Sequence, residues 1–417
     1  MSQTQPNKGA MLNSVLKILD AKRNELVEFT RDIARIPSVT GNEAAISETC
    51  AQRMRSLGLE TELSSVSSNQ NNVLGWIRSS GERESLMLTG HMDTLPPADG
   101  WTRNPYGGDV FEGKIFGNGI SNMKASDSAM VYAAYAIKEA GLKLRGDVLV
   151  ALVVSECQSG IGSMDLMSKN IKTGRFINTE PTELGILTLN SGPQYIRVNI
   201  LGRAGHSGSH DRGVNAAALM CQLVGRLGPM HQKIPAGGWL EYEDRPQYRG
   251  LPIYHLGAIR GGLGRELLEV PANTPSFCTA VINVRVPPNQ HFQTTLECFE
   301  KLLRDMQKGT PGFQFELSCS CGKPAFESPE NSATVKALAD AYREIMGAEP
   351  PLGPIEPYMF TGTDAGFMQE AGIRDGVVMG PGRFTSSLPD EYVEVDKLVC
   401  AAKIYAAAII DLCGAVV

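Results

Sequence analysis

No apolar run in this 417-residue chain approaches the roughly 20 residues that would cross a bilayer, and the polar start Met1-Ser2-Gln3-Thr4-Gln5-Pro6-Asn7-Lys8-Gly9 lacks a signal-peptide core. Basic excess is missing as well: 39 Lys and Arg stand against 45 Asp and Glu, a net charge of −6. That balance carries no electrostatic footprint for nucleic acid. A disulfide framework is absent too. The nine cysteines are an odd number without framework spacing, and Cys319-Ser320-Cys321 is too close for an ordinary bridge and has no zinc-site partners. There is no internal repeat and no low-complexity segment. These absences lead to the expectation of a globular chain in a reducing, cytoplasmic setting, with no nucleic acid or membrane partner.

What is present has the balance of a folded protein, 42% hydrophobic and 20% charged, at a length that makes two domains the default. Residues 11–36 have apolar positions at helical spacing (Leu12, Val15, Leu16, Ile18, Leu19), and 44–57 and 125–140 also read as helices. Residues 86–89, 148–154 and 175–178 read as strands. This alternation predicts an α/β fold built on a doubly wound sheet, with ligands at the carboxyl ends of the strands. The polar stretch 64–72 reads as an exposed loop. From Gly192 the pattern changes to an α+β unit, with strands at 194–201, 253–259 and 276–286 and helices at 215–227 and 292–306. Helices at 333–345 and 397–412 close the chain.

The segment richest in chemistry is Leu88-Thr89-Gly90-His91-Met92-Asp93-Thr94, an apolar run ending at a histidine with an aspartate two residues on. Alternation along a strand puts Asp93 on the side of His91, where it could orient the ring of a metal ligand; a core histidine bonded to its neighbour would look the same. Further segments follow in order: Gly117-Asn118-Gly119-Ile120-Ser121-Asn122-Met123-Lys124, Ser155-Glu156-Cys157, Thr179-Glu180-Pro181-Thr182, Gly205-His206, Gly362-Thr363-Asp364 and Leu388-Pro389-Asp390-Glu391-Tyr392. From about Leu26 to Asp411, the series resembles the metallopeptidase family of aminoacylase, succinyl-diaminopimelate desuccinylase, acetylornithine deacetylase and glutamate carboxypeptidase.

That resemblance implies a catalytic domain with a mixed sheet, residues 1–191 and 321–417, and an inserted ferredoxin-like α+β domain, residues 192–320, that acts as lid and dimerises. It also implies two zinc ions on five ligands, and here the chain departs. His91 and Glu180 stand where one ion's private ligands belong, and Glu156 stands where the family has its general base. The bridging aspartate is replaced by Asn122, and the other ion's ligands by Cys157 and Ser387. A neutral amide bridges two cations poorly. The expectation is therefore one divalent transition ion (Mn, Zn or Co) on His91 and Glu180, joined by Asn122, with Cys157 as a conceivable thiolate ligand.

In the insert, the resemblance makes His206 a residue that stabilises charge on the substrate oxygen in the partner subunit's site, and makes Arg285 and Asn273 holders of a substrate carboxylate. Arg285 also reads as an inter-strand surface charge. His210 could add a substrate contact or be a solvated loop residue, and Thr363 and Asp364 could face substrate or form a plain turn. His231, His255 and His291 have no motif around them. The function expected is metal-dependent hydrolysis of a C–N bond in a small carboxylate-bearing molecule, with Glu156 as base and Asp93 orienting His91. A single ion suits a substrate that delocalises charge itself, such as an electron-poor aromatic amine. Conversion of 5-nitroanthranilate to 5-nitrosalicylate and ammonia, carried out by one member of the resembled family, is such a reaction. Hydrolysis of an N-acyl amino acid or dipeptide, a non-catalytic ligand-binding role and covalent chemistry on Cys157 are the alternatives.

Overall fold

The computed structural model describes residues 8–209, 212–320, 322–384 and 388–416; His210, Cys321 and Ser387 lie outside the described residues. The chain divides into two compact units. One comprises Met1–Leu189, Phe326–Met359 and Thr363–Val417, the other Asn190–Ala325 and Phe360–Gly362.

The first unit is built on an eight-stranded mixed sheet. Its strands are β1 (Glu60–Ser67), β2 (Gln70–Ile77), β3 (Leu86–His91), β4 (Val148–Val153), β5 (Arg175–Asn178), β6 (Ile186–Leu187), β7 (Leu352–Gly353) and β8 (Asp375–Val378), in the order β1-β2-β4-β3-β5-β8-β6-β7. The central strands β4, β3, β5 and β8 run parallel. All six residues of β3 and of β4 are buried, which is why both segments read as unbroken apolar runs rather than alternating ones.

Side-chain parity divides the sheet. Leu86, Leu88, Val148, Val150 and Leu152 join one large cluster with the helices α1 (Lys8–Ala21), α2 (Arg23–Ala34), α3 (Ala44–Ser56) and α4 (Ala125–Glu139). Met87, Leu149 and Ala151, also buried, point to the other face. The small residues Ala129, Ala133, Ala134 and Ala136 keep α4 slim enough to be buried on nearly every side. The helix-patterned segment 11–36 breaks at Lys22 into α1 and α2.

The stretch 64–72, expected as an exposed loop, is instead the hairpin of β1 and β2, with Ser64 paired to Asn72. Ser64, Gln70 and Asn72 are buried in it, while Ser65, Ser67, Ser68 and Asn69 remain exposed. Asn72, fully buried, donates from Nδ2 to the Gly162 carbonyl (2.9 Å) and accepts from the Val154 N–H (3.1 Å). Composition signalled solvent; the hydrogen bonds are made to residues more than 80 positions away.

The second unit orders its elements as strand Gly192–Leu201, helix Ala216–Leu227, strands Ile253–Gly262 and Phe277–Val286, helix Phe292–Gly309 and strand Gln314–Ser320. The four strands form an antiparallel sheet in which 253–262 and 314–320 are the outer members. This is the ferredoxin-like order. Ile196, Val198, Ala280, Ile282 and Val284 pack with Leu219, Leu223, Phe299 and Leu303 of the two helices. Tyr195, Asn283 and Arg285 alternate with them and lie on the opposite face.

Replacing Asn72 by alanine orphans a buried carbonyl and a buried N–H. At roughly 1–3 kcal/mol per unsatisfied group, Asn72→Ala is expected to lower unfolding free energy by about 2–4 kcal/mol in urea denaturation. Exposed Asn69→Ala at the hairpin tip is expected to stay within about 0.5 kcal/mol.

Candidate metal centre

The parallel strands β3, β4 and β5 deliver their carboxyl ends to one place. His91 ends β3, Glu156 follows β4 and Glu180 follows β5. One ligand atom from each lies within 4.8 Å of the others. The convergence is on one atom, His91 Nε2: Asn122 Oδ1 stands 3.1 Å away, Glu156 Oε2 3.6 Å and Glu180 Oε1 3.6 Å. On the other side of the ring, Nδ1 is 2.8 Å from the Asp93 carbonyl and 3.4 Å from Asp93 Oδ1. Asp93 thus faces Nδ1 with its backbone oxygen at the shorter distance and with its carboxylate beside it.

The loops that carry these residues are held by buried carboxylates that accept backbone N–H groups. Asp93 takes the Glu156 N–H on Oδ1 (2.8 Å), the Cys157 N–H on Oδ2 (3.0 Å) and the Thr40 hydroxyl (2.7 Å). Glu43, fully buried, takes the Ser155 N–H (3.2 Å) and the Gln70 amide (3.1 Å), and Gln70 also donates to the Ser155 hydroxyl. Three successive N–H groups, 155 to 157, are therefore clamped by two carboxylates. Ser155 sits at φ 58°, a left-handed conformation that a non-glycine residue adopts at a cost. The clamp holds it there and turns Glu156 toward His91. A third carboxylate, Glu391, accepts from Gly119 (3.0 Å), Ser121 (2.8 Å) and Asn122 (3.1 Å) and fixes the segment bearing Asn122.

The electrostatics follow from this crowding. Burial opposes charge on His91, but Glu180 and Asp93 outweigh it and lift the imidazolium to about 10. Burial pushes the Glu180 carboxyl up to about 7, with His91 pulling against Asp364 and Asp93. Burial likewise raises Glu391 to about 7 against the three N–H groups it accepts. The Cys157 thiol is driven up by burial, then by Asp93 and Glu180; that environment disfavours a thiolate.

These observations fit a cation. Both ring nitrogens of His91 face only acceptors. Glu180 Oε1 is buried, with no hydrogen-bond partner among the described residues. A convergent set of oxygen acceptors around one imidazole nitrogen is what a divalent ion satisfies when it replaces that nitrogen's proton. Cys157 donates from Sγ to the Asp93 carbonyl (3.7 Å), the same oxygen that faces Nδ1 of His91.

Among the other residues singled out from the sequence, Asp364 accepts from the Ser163 hydroxyl (2.6 Å) and adds to the negative potential at Glu180. Thr363 is buried, and its hydroxyl accepts the Ala365 N–H as helix 365–370 begins. In the second unit, His206 and Asn273 form a backbone bridge, and exposed His206 accepts the Gly208 N–H on Nδ1 (3.1 Å). Arg285 lies on the helix-free sheet face, opposite Pro193 and Ile253, and burial lowers the pKa of its guanidinium. Glu43, Thr40 and Gln70 were missed from the sequence. Glu391 lay inside a noted motif, without a role.

Residues 87–411 match the model of peptidase family M20/M25/M40. The chain is 25% identical over 380 residues to an acetylornithine deacetylase of Salmonella arizonae, covering 88% of this chain and 92% of that one. The di-peptidase Dug1p from Saccharomyces cerevisiae shares its fold at a TM-score of 0.78 and 14% identity, over 95% of this chain and 98% of the other. A Bacillus subtilis protein described as a dinuclear metal binding peptidase from the M20 family aligns with a TM-score of 0.67 and 14% identity, over 94% of this chain and 99% of that one.

The raised His91 gives a signed expectation for metal-stripped protein. Its folded pKa of about 10 exceeds the ordinary 6.5, so its contribution to stability is complete below 6.5 and is lost as pH rises to about 10. Buried Lys124, depressed by burial to about 8, works in the opposite direction above that pH, so the comparison must isolate His91. In chelator, the stability difference between wild type and His91→Asn is expected to shrink from pH 6.5 to pH 10 in urea denaturation. A constant difference would show that the ring is not charged.

Proposed function

The chain belongs to peptidase family M20/M25/M40, and on that premise we propose that it uses one divalent transition ion, held by His91, Glu180 and Asn122, to hydrolyse a C–N bond in a small carboxylate-bearing molecule. It is a hydrolase of C–N bonds, like the deacetylase and dipeptidase it resembles. The observation that carries the single-ion reading is the convergence on His91 Nε2, with a neutral amide, Asn122, where a bridge between two ions would need negative charge. Manganese, zinc and cobalt all suit the nitrogen and oxygen ligands. When bound, the ion acidifies water and polarises the group under attack.

Glu156 is the proposed base. Its backbone is clamped through Asp93, and its carboxylate lies beside Glu180 and the His91 ring. It takes a proton from the attacking water and returns it to the leaving nitrogen. Asp93 holds the ring so that Nε2 faces the acceptors. Asp364 supports the local charge balance, and Thr363 supports the turn that presents it. In this reading residues 1–191 and 321–417 form the catalytic domain, and the insert, 192–320, is a lid that pairs with a second copy. Arg285 and Asn273 bind the substrate carboxylate there, and His206 stabilises charge on a substrate oxygen. Cys50, Cys157, Cys221, Cys278, Cys298, Cys400 and Cys413 are free thiols, and a reducing, cytoplasmic setting is part of this reading.

The substrate proposed here is chosen from the charge of the site. Two ions normally share the charge of a tetrahedral intermediate; one ion favours a substrate that spreads that charge itself. In an electron-poor aminobenzoate, water adds to the amine-bearing ring carbon. A nitro group para to it takes up the electron pair, the C–N bond breaks, and the proton carried by Glu156 leaves with ammonia. The coarser alternative on the same residues is an N-acyl amino acid or dipeptide.

The test is turnover by chelator-stripped enzyme resupplied with manganese, cobalt or zinc, on a panel of N-acyl amino acids, dipeptides and aminobenzoates including 5-nitroanthranilate. Metal-dependent activity is expected on at least one class, falling by about 10²–10⁴-fold in Glu156→Gln. The absence of both turnover and metal binding with any of the ions would overturn this reading in favour of a ligand-binding protein.

A further inference from the structure

His231 and His255, isolated in the sequence, meet in the second unit. His255 Nδ1 stands 3.3 Å from His231 Nε2, with ring centroids 5.1 Å apart and planes inclined by 36°. Both side chains are exposed. We propose that this pair is a second transition-metal site, built in the inserted unit and independent of the cluster around His91.

The spacing is the first argument. Two imidazole nitrogens, each about 2.0–2.1 Å from a tetrahedral zinc ion, stand about 3.3–3.4 Å apart. In the metal-free protein the same gap is bridged by one shared proton, with one nitrogen donating and the other accepting. An ion that displaces this proton meets two ring nitrogens already at the separation it requires.

The second argument is that the pair is held from behind. His255 is on the outer strand 253–262, anchored to the sheet by register with Asn283. His231 lies in the segment after helix 216–227, and that segment is stitched to the same strand. The His231 N–H donates to the Tyr254 carbonyl (3.1 Å) and the Ile234 N–H to the Pro252 carbonyl (2.7 Å), while the Tyr254 hydroxyl donates to the Gly228 carbonyl. His231 itself sits at φ 59°. Bonds on both sides thus fix a backbone conformation that histidine tolerates better than most residues. The ligands are pre-positioned, so little ordering is required when an ion binds.

The ligand chemistry selects the ion. Among the described residues, no cysteine or carboxylate completes a three-ligand group here, so water or a solute fills the remaining positions. Two neutral imidazoles favour the late first-row ions, Cu(II) above Ni(II) and Zn(II), over manganese or magnesium. One consequence bears on the proposed catalytic centre: a protein that binds two zinc ions need not hold both at His91.

The test uses untagged, chelator-stripped protein and Zn(II) alone, read by equilibrium dialysis. Wild type is expected to bind one more zinc per chain than His231→Ala or His255→Gln, with that ion at least about 100-fold weaker once one imidazole is removed. His91→Ala is expected to retain it. Both substitutions are at exposed side chains, and far-UV circular dichroism checks that the fold survives; His255→Gln, on a sheet strand, reports even where His231→Ala disturbs its segment. Turnover is unaffected in both. Equal zinc content and affinity in wild type and both variants, or loss of the extra ion in His91→Ala alone, would overturn the proposal. Neither outcome depends on whether the chain turns over any substrate.

Discussion

The site depends on an unusual use of buried negative charge. Glu43, Asp93 and Glu391 all accept backbone N–H groups from the loops beyond the central strands, Asp93 in addition to its contact with the His91 ring. A carboxylate in low dielectric is costly unless its lone pairs are satisfied. The N–H groups of residues 119, 121, 122, 155, 156 and 157 satisfy them. The same bonds remove the freedom those loops would otherwise have. The parallel sheet brings β3, β4 and β5 to a common end, and the clamps turn a shared edge into a set of atoms aimed at one nitrogen.

Around His91 the consequence is an excess of acceptors. Nε2 faces Asn122, Glu156 and Glu180, and Nδ1 faces Asp93. Without an ion, the ring stays protonated far above its usual range and Glu180 resists ionisation. A divalent ion resolves both tensions. In the one-ion reading proposed above, the neutral Asn122 and the poorly ionising Cys157 offer little to a second ion beside it. The proposed one-ion chemistry is therefore a statement about charge balance before it is one about substrate.

Much of this was legible in the sequence where the signal was local. Strands β3 and β4 are short apolar runs ending at reactive residues, and the small-residue helix 125–139 stands out by composition alone. The ordered motifs located His91, Glu156 and Glu180. What escaped was non-local. The hairpin at 64–72 is polar because Asn72 and Gln70 bond to segments more than 80 residues away, so its composition imitates a loop. Glu43 reaches Ser155 across 112 positions. Glu391 lay in a recognised motif, but its task, holding Gly119 to Asn122, is visible only in three dimensions. The pairing of His231 with His255 likewise depends on a backbone stitch between a loop and an edge strand, which no spacing rule anticipates.

The most direct measurement is a crystal structure of zinc-soaked protein with anomalous data collected on both sides of the zinc edge, examined at His91. The account predicts one anomalous peak within coordination distance of His91 Nε2 and Glu180, with Asn122 contributing at most its carbonyl oxygen. Two peaks flanking Asn122, the second ligated through Cys157, would contradict it and restore a two-ion centre despite the altered residues.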